Sequence, residues 1–399
     1  MRVAIFGAGY AGLGVARRLE RSLPDDVEVV VVDESGEHVV RHLLHRGIRY
    51  PAELEHVRLP LGTVLDRATI RVARVEALDH TEGVATLDDG ESLPYDLGVV
   101  TLGGDPEFYG LEDVAEYATP LHRPADVETI RADFEDVLDD GGRVVVGGGG
   151  LTGIQTAGEL AALARQRDAS ETVEVTLLEQ SSAVPPGFDD RLQDAVASAL
   201  DSAGVTVHTS TAITDATADA VAVADGEPIP YEQFVWAGGI RGPAAQDGDR
   251  RTVTATLRLG DNAFALGDAA RVVDADGTRV PPTAHAAIRQ AGVAATNVTR
   301  VVEHRRENGG FEPRLDRYRH DETGWLVSVG DGAVARVGPT VLTGTAAKAV
   351  KTTVGVGYLT SIGAVEDAVA HVQDAVGGET ASGATLPRYR LTPDRGSSR

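Results

Sequence analysis

The chain has 399 residues, which is long enough for two or three domains with buried cores. It carries 37 basic and 61 acidic residues, and the resulting net charge of −24 argues against nucleic acid as a partner. There are no cysteines, which excludes disulfides, thiolate metal sites and redox-active cysteine pairs.

The basic residues are unusual in kind, because only Lys348 and Lys351 are lysines and all the others are arginines. The acidic residues are spread along the whole chain. This composition indicates an intracellular protein of a salt-accumulating extreme halophile, since such a surface stays soluble where the Debye length shrinks to about 3 Å. GC-rich codon bias with an ordinary solvated surface is the alternative.

The N-terminal residues, MRVAIF, run directly into glycines. This pattern predicts a strand rather than a signal peptide, which would need a longer apolar segment and a cleavage site. No run of about 18 apolar residues occurs, so no membrane-spanning helix is predicted. The sequence therefore predicts a cytoplasmic protein, or one attached at the cytoplasmic face of the membrane.

Short apolar strands then alternate with amphipathic helices, which is typical of a parallel α/β sheet. The first unit comprises a strand at residues 3–6, a glycine-rich turn, a helix through Arg21 and a strand at 29–32. Such a turn lets the backbone approach a pyrophosphate at the helix N-terminus, while the acid that follows binds a ribose. A plain glycine-rich turn is the alternative. The candidate dinucleotide-binding residues are Gly7, Gly9, Tyr10, Ala11, Gly12 and Asp33.

The same order recurs at residues 143–179, about 140 positions later. The recurrence predicts a second nucleotide-binding domain, with Gly148, Gly150 and Gly153 in its turn. Glu179 follows the second strand of this unit. A carboxylate there accepts from a 2′-hydroxyl and repels a 2′-phosphate, so NADH is favoured over NADPH.

Downstream, a short apolar strand near residue 264 ends in Gly267 and Asp268, which form a third candidate site. A buried strand and turn with Asp268 as a helix cap is the alternative. Residues 88–90 and 225–226 are predicted hairpin turns, and residues 242–251 a surface loop. The tail after Gly377 is predicted to be frayed.

These segments resemble the flavoprotein reductases with two dinucleotide-binding domains, and among them the type II NADH dehydrogenases, which are non-pumping NADH:quinone oxidoreductases. The resemblance spans roughly residues 1–363. It rests on residues 7–12 with Asp33, 95–104, 144–160 with Glu179, 235–243, 264–270 and 281–285.

The resemblance implies that the first unit binds FAD and the second binds NADH. Gly267 and Asp268 would hold the ribityl and pyrophosphate groups. Residues 101–104, including Gly103, would pass close to FAD, and residues 237–239, including Gly238 and Gly239, would lie near the nicotinamide. Hydride transfer then needs position and a dry pocket rather than a catalytic acid or base. The implied acceptor is a quinone, which enters from the other face of the flavin.

The sequence departs from the family on the acceptor side. The corresponding helix usually carries glutamines, of which only Gln290 is kept, while His285 and Arg289 share one face of that helix. Arg289 could stabilise an anion and His285 could donate a proton; two residues on a solvated helix are the alternative. In the second glycine motif Gln155 stands where the family has a glutamate.

The C-terminal part contains an apolar segment at residues 341–362, a region that docks on the bilayer in the family. Residues 364–376 carry a helical stripe of valines whose polar face is acidic. Membrane-surface helices usually have a cationic face, so this stripe is expected to pack on the protein or on a dimer partner rather than on lipid.

The sequence thus predicts an α/β protein with two Rossmann-like domains, the second inserted into the first. Residues 1–110 and 253–325 would bind FAD, residues 111–252 would bind NADH, and 326–399 would form a C-terminal region. The predicted activity is FAD-dependent transfer from NADH to a quinone or similar acceptor, with no metal. A reductase of a soluble acceptor such as ferredoxin, and a non-catalytic redox sensor that binds FAD and NAD, are the alternatives.

Overall fold

The computed structural model describes residues 1–307, 310–321 and 324–362. The chain divides into two compact units, Met1–Lys351 and Thr352–Arg399. Of the second unit, residues 352–361 belong to the last helix. The predicted helical stripe at 364–376 and the predicted frayed tail lie outside the described residues.

The N-terminal segment opens with the predicted strand–helix–strand unit, β1 (Arg2–Phe6), α1 (Tyr10–Ser22) and β2 (Glu28–Asp33). A 3₁₀ helix, Arg41–Ile48, follows a short strand. The remaining elements are β3 (Glu37–Val39), α2 (Glu53–His56), β4 (Arg58–Pro60), α3 (Leu61–Val64), β5 (Thr69–Val72), β6 (Val75–Asp79), β7 (Val84–Leu87), β8 (Ser92–Pro94), β9 (Leu97–Val100) and β10 (Asp105–Pro106).

The middle segment repeats the strand–helix–strand order. Its elements are α4 (Glu112–Tyr117), β11 (Thr119–Pro120), α5 (Pro124–Asp140), β12 (Gly142–Gly147), α6 (Leu151–Gln166), β13 (Val173–Leu178), α7 (Asp190–Ala203), β14 (Val205–His208), β15 (Ile213–Ala216), β16 (Ala220–Val223), β17 (Ile229–Pro230), β18 (Gln233–Trp236) and β19 (Ile240–Arg241).

The last segment contains one long helix and a small sheet. Its elements are β20 (Arg251–Val253), β21 (Ala263–Ala265), β22 (Ala270–Val272), α8 (Ala284–Arg306), β23 (Gly324–Val329), β24 (Gly332–Val337), β25 (Thr340–Thr343) and α9 (Gly344–Ser361).

Two five-stranded parallel sheets organise the fold. The first has the order β21-β9-β1-β2-β5, and the second has the order β11-β18-β12-β13-β14. Because β21 follows the whole second sheet in sequence yet completes the first, the second unit is inserted into the first. The predicted fold class, α/β with two Rossmann-like units, is confirmed.

The central strands are buried, as expected for parallel strands with both faces covered. Val29 to Val32 are each at most 3% exposed, and Val144 to Val146 are fully buried. Helices α1 and α8 pack against each other, and a Cβ placed on Gly14 would lie 2.9 Å from the Cβ of Ala291. The core therefore fixes the ends of the strands, where the candidate sites lie.

The turns at 88–90 and 225–226 join antiparallel strands, β7 to β8 and β16 to β17, as predicted. The segment at 242–251, predicted to be a surface loop, contains a 3₁₀ turn and is exposed at Ala244, Asp247 and Asp249. Part of it is anchored inwards: Gln246 is buried and donates to the Ala269 carbonyl at 3.1 Å, and Arg250 donates to the Asp268 and Ala270 carbonyls at 2.9 Å. These two side chains hold the loop against the turn after β21, because they satisfy its backbone carbonyls.

Strands β23, β24 and β25 form an antiparallel sheet that packs on α6. A Cβ on Gly158 would lie 2.5 Å from the amide nitrogen of Gly330, so the helix and the β23–β24 turn touch through their backbones. Phe188 and Trp325 add an edge-to-face ring contact at 4.6 Å. In the part of the chain that the structure describes, no helix combines the length and hydropathy needed to cross a membrane.

Two buried histidines, His38 and His45, and the partly buried His122 have pKa values below the usual range, because burial disfavours the charged ring. The pKa of His38 is lowered to about 4 and that of His122 to about 3, and that of His45 lies well below its usual value. His38 is fully buried, and its Nδ1 lies 2.8 Å from the Ala8 carbonyl oxygen. These rings are therefore neutral in the folded protein at neutral pH.

We expect the free energy of unfolding to fall as the pH drops from about 6.5, the value in the unfolded chain, towards about 4. The sign follows because, between these two pH values, His38 binds a proton in the unfolded chain but not in the folded protein. For His38 alone the loss between pH 7 and pH 5 is about 2 kcal/mol. Denaturant unfolding of wild type and His38→Gln at both pH values measures it. The wild type should lose more stability than the variant, and His56→Gln, at an exposed position, should behave as wild type.

Candidate functional site

The turn between β1 and α1 forms a backbone cradle. Gly7 donates its amide to the Val32 carbonyl at 2.7 Å, which joins the turn to β2. A Cβ on Gly12 would lie only 1.8 Å from the Gly7 carbonyl oxygen, so no side chain fits there. The Thr101 hydroxyl lies 2.8 Å from that same oxygen and closes the turn from β9.

The open side of this cradle is at Gly9, where an added Cβ would meet no described atom within 4 Å. The start of α1 there presents backbone amides and the positive end of the helix dipole, which favour a phosphate. Beside it, the Tyr10 hydroxyl lies 2.5 Å from Nδ1 of His42, and Ala11 is buried. The residues present therefore fit the pyrophosphate of a dinucleotide.

The second cradle repeats the backbone contacts of the first. Gly148 donates to the Leu178 carbonyl at 2.8 Å, and a Cβ on Gly153 would lie 1.9 Å from the Gly148 carbonyl oxygen. A Cβ on Gly150, like one on Gly9, would meet no described atom within 4 Å. The structure therefore aligns the two glycine motifs as the sequence predicts.

The acid of each unit accepts from the same amide of its turn. Asp33 Oδ2 accepts from the Ala8 amide at 2.8 Å, and Glu179 Oε2 accepts from the Gly149 amide at 2.7 Å. The second oxygen of each carboxylate also accepts locally, from Ser35 for Asp33 and from Ser181 for Glu179. A carboxylate has about four acceptor positions, and Glu179 uses two of them, so it keeps capacity for a ribose hydroxyl. Asp33 already accepts four hydrogen bonds, three of them at Oδ1 from the Ser35 amide, the Ser35 hydroxyl and the Gly36 amide, so a ribose hydroxyl would have to bind at Oδ2 or replace the Ser35 hydroxyl.

A crossing segment passes over each cradle, residues 101–104 over the first and residues 237–239 over the second, and the two have similar contacts. A Cβ on Gly7 would lie 2.5 Å from the Thr101 carbonyl oxygen, and one on Gly148 would lie 2.5 Å from that of Ala237. Each crossing segment continues into a glycine with positive φ, Gly103 at +80° and Gly239 at +139°. The predicted residues Gly103, Gly238 and Gly239 thus border the two cradles.

The third predicted site, Gly267 and Asp268, lies in a 3₁₀ turn at the end of β21. The Gly267 amide donates to Oε1 of Gln290 at 2.8 Å, so the turn is held by α8. Burial raises the pKa of Asp268, and the positive charges of Arg41 and Arg250 oppose that shift. Gly267 borders a shallow surface depression together with Thr283, Ala287 and Gln290.

The predicted acceptor residues do not lie together. His285 and Arg289 are partly exposed, and Arg289 lies 3.5 Å from the carboxylate of Asp321. Burial and the positive charge of Arg289 lower the pKa of His285. Gln290, by contrast, is 2% exposed and bound to Gly267. The structure therefore places Gln290 with the third site and leaves two residues on the exposed face.

The 3₁₀ helix Arg41–Ile48 connects both cradles. It contacts the first through the His42–Tyr10 pair, and its first residue, Arg41, lies 3.2 Å from Nε2 of His122, just before α5. Four residues after Arg41, His45 Nε2 lies 3.2 Å from the side-chain amide of Gln155 on α6. This short helix therefore spans the space between the two sites.

A buried polar cluster surrounds His45. Its Nε2 lies 2.9 Å from the Ser328 hydroxyl, which also accepts from Lys351 Nζ at 2.8 Å and from Gln155 at 3.2 Å. Burial lowers the pKa of Lys351 and raises that of Glu159, a fully buried carboxylate 3.0 Å from Nε of Arg49. The cluster binds the C-terminal sheet to both nucleotide-binding units.

Several residues near the cradles were not predicted from the sequence: His38, His42, Gln155 as a partner of His45, and Tyr109, whose hydroxyl donates to the Gly238 carbonyl at 2.9 Å. His38, His42 and Tyr109 reach a cradle from distant parts of the chain, and the partner of Gln155 is distant too, so no local spacing signals these contacts. Within the described ranges, no group of three or more His, Asp or Glu side chains could hold a metal ion.

Two known proteins of similar sequence have the same name. The type II NADH:quinone oxidoreductase of Staphylococcus saprophyticus is 24% identical over 332 residues, which cover 76% of this chain and 83% of that protein. The Staphylococcus aureus protein of the same name is 24% identical over 331 residues, covering 75% and 82%.

Solved structures of similar fold include NDH2 from Plasmodium falciparum in complex with NADH, with a TM-score of 0.80, 14% identity and coverage of 93% of this chain and 97% of that one. The sulfide:quinone oxidoreductase of Aquifex aeolicus has a TM-score of 0.76, 16% identity and 92% coverage of both chains. Residues 1–291 match the model of the pyridine nucleotide-disulphide oxidoreductases. That match includes both cradles and the third site, and the chain therefore belongs to the pyridine nucleotide-disulphide oxidoreductase family.

Proposed function

We propose that this protein is an NADH dehydrogenase that binds FAD in the first cradle and NADH in the second, and passes the electrons to a quinone. The observation that carries the proposal is the duplication of the cradle, with Asp33 in one copy and Glu179 in the other. Two dinucleotide sites in one chain suit a reaction between two dinucleotides. The name shared by the sequence relatives supports a quinone as the acceptor.

When bound, FAD supplies the capacity to take two electrons from NADH and release them to a second acceptor. Gly7, Gly9 and Gly12 would hold its pyrophosphate, and Asp33 its ribose. Gln290 keeps Gly267 and Asp268 in position on the other side. The chain contributes orientation and exclusion of water, and with no cysteine it has no thiol step.

On the acceptor side, the residues that support the proposal are His285 and Arg289 at the exposed start of α8. A cation there would stabilise negative charge that develops on the acceptor. Attachment to the cytoplasmic face of the membrane is supported by the sequence of α9, which is largely apolar and has Lys348 and Lys351 as its charged residues. Lys351 is bound to Ser328 in the buried cluster, so of these two lysines Lys348 is the one that would meet an anionic lipid surface. A dimer formed through the same region is the competing arrangement.

The proposal is tested by anaerobic mixing of purified protein with NADH while the flavin absorbance is followed. We expect the absorbance to bleach with NADH and to return when menaquinone in lipid vesicles is added. Ferredoxin in place of menaquinone examines the soluble-acceptor alternative. A protein without flavin absorbance after incubation with FAD, or one that NADH does not bleach, would contradict the proposal.

Cofactor preference should depend on the charge of Glu179. Glu179→Gln keeps the size of the side chain and an acceptor oxygen but removes the repulsion of a 2′-phosphate. We expect the ratio of kcat/KM for NADH over NADPH to fall about tenfold, or by about 1.4 kcal/mol. The effect should be larger at low salt, where screening is weaker. Glu174→Gln, at a solvent-accessible carboxylate paired with Arg143, serves as control and should leave the ratio unchanged.

Substitutions on α8 should separate two roles. Arg289→Ala should slow reoxidation of the protein by menaquinone several-fold, while the rate of its reduction by NADH stays unchanged.

Gln290→Leu leaves the buried Gly267 amide without its acceptor, which costs about 1–3 kcal/mol, so FAD should be lost more readily on desalting. Rapid-mixing kinetics and flavin absorbance after gel filtration measure the two effects. Slower NADH reduction in Arg289→Ala would contradict its assignment to the acceptor side.

A further inference from the structure

Tyr109 is an exposed aromatic residue in an unfavourable backbone conformation. Its φ is +55°, a left-handed value that bulky side chains rarely adopt, and 62% of its surface is exposed. Packing therefore does not account for a large ring at this position, where asparagine or glycine would be accommodated more easily. Strained residues of this kind are concentrated at functional sites.

The segment around Tyr109 is fixed across the second cradle. Strand β10 pairs with β19, the Glu107 amide donates to the Gly239 carbonyl at 3.0 Å, and Trp236 Nε1 donates to the Glu107 carbonyl at 2.8 Å. The Phe108 ring stacks on Trp236 with centroids 5.8 Å apart. Phe108 thus anchors the segment from inside, while the next residue, Tyr109, faces outwards.

The Tyr109 hydroxyl lies at the end of the second cradle that is formed by Gly238 and Gly239. It donates to the Gly238 carbonyl at 2.9 Å, and a Cβ on Gly239 would lie 2.6 Å from it. Burial and the charges of Glu107 and Glu179 raise the pKa of Tyr109, so the Glu179 carboxylate acts on it across the site. The ring therefore borders the space between the crossing segment and the acid.

The strand order indicates which half of a bound dinucleotide would lie next to the Tyr109 ring. Glu179 follows β13, the strand on one side of β12, and would take the adenosine ribose, while the start of α6 would take the pyrophosphate. Gly238 follows β18, on the opposite side of β12. A dinucleotide laid across the ends of these strands has its nicotinamide half at β18, next to Tyr109.

We infer that Tyr109 is a positioning residue for NADH, whose ring covers the nicotinamide half of the bound dinucleotide while its hydroxyl stays anchored at Gly238. The inference rests on the proposed function, because it takes the second cradle as the NADH site. The ring would restrict the nicotinamide to one orientation and shield it from water. Contact between a planar ring and an aromatic side chain is favourable without specific hydrogen bonds.

The test uses oxidised holoenzyme with NAD⁺, which binds without reacting, and ADP, which lacks the nicotinamide half. We expect Tyr109→Ala to weaken NAD⁺ binding about tenfold in titration calorimetry and to leave ADP binding unchanged. Tyr109→Phe retains the ring and should bind NAD⁺ within about twofold of wild type. Tyr117→Ala removes another partly exposed tyrosine, on α4, and should change neither affinity.

Tyr109→Asn removes the ring while suiting the left-handed conformation, so it gives the same test if the alanine variant does not fold. Loss of NAD⁺ affinity in this variant with unchanged ADP affinity supports the inference. Equal affinities of wild type and variant for NAD⁺, or parallel losses for NAD⁺ and ADP, overturn it while leaving the proposed function intact. A wild type that binds ADP but not NAD⁺ overturns the inference together with the proposed function.

Discussion

The contact between the start of a helix and the strand before it sets the geometry of both candidate sites. Gly12 and Gly153 each sit against the carbonyl oxygen of the first glycine of their motif, at a distance that no side chain permits. This contact brings the helix amides to the end of the central strand. The carboxylate at the end of the next strand and the crossing segment both lie around this turn. The two cradles therefore have similar geometry.

A second constraint is the set of polar contacts between the two nucleotide-binding units. The 3₁₀ helix Arg41–Ile48 reaches Tyr10 on one side and Gln155 on the other, and it ends at carbonyls that accept from Arg131 of α5. Ser328 of the C-terminal sheet and Lys351 of α9 are part of the same interior. Because these polar groups are removed from water, each needs its partner, and loss of one leaves the others unsatisfied.

The sequence indicated those parts of the site that depend on local spacing. The glycines, Asp33 and Glu179 are fixed by the length of a turn, a helix and a strand, and the structure arranges them as expected. Thr101 and Tyr109 could not be inferred in this way, because they enter the cradles from strands that are adjacent only in the folded sheet. Gln290 is different: at 100° per residue it lies far round the helix from His285 and Arg289, so helical geometry alone could have separated it.

The bridging 3₁₀ helix has a consequence for how the molecule melts. Two Rossmann-like units joined only by loops would be free to unfold one after the other, giving two thermal transitions. Here the eight residues of the 3₁₀ helix contact buried side chains of both units. In addition, strand β21 belongs to the first sheet although it follows the whole second sheet in sequence. Opening either unit exposes buried polar groups of the other, so Met1–Lys351 should behave as one cooperative block in calorimetry.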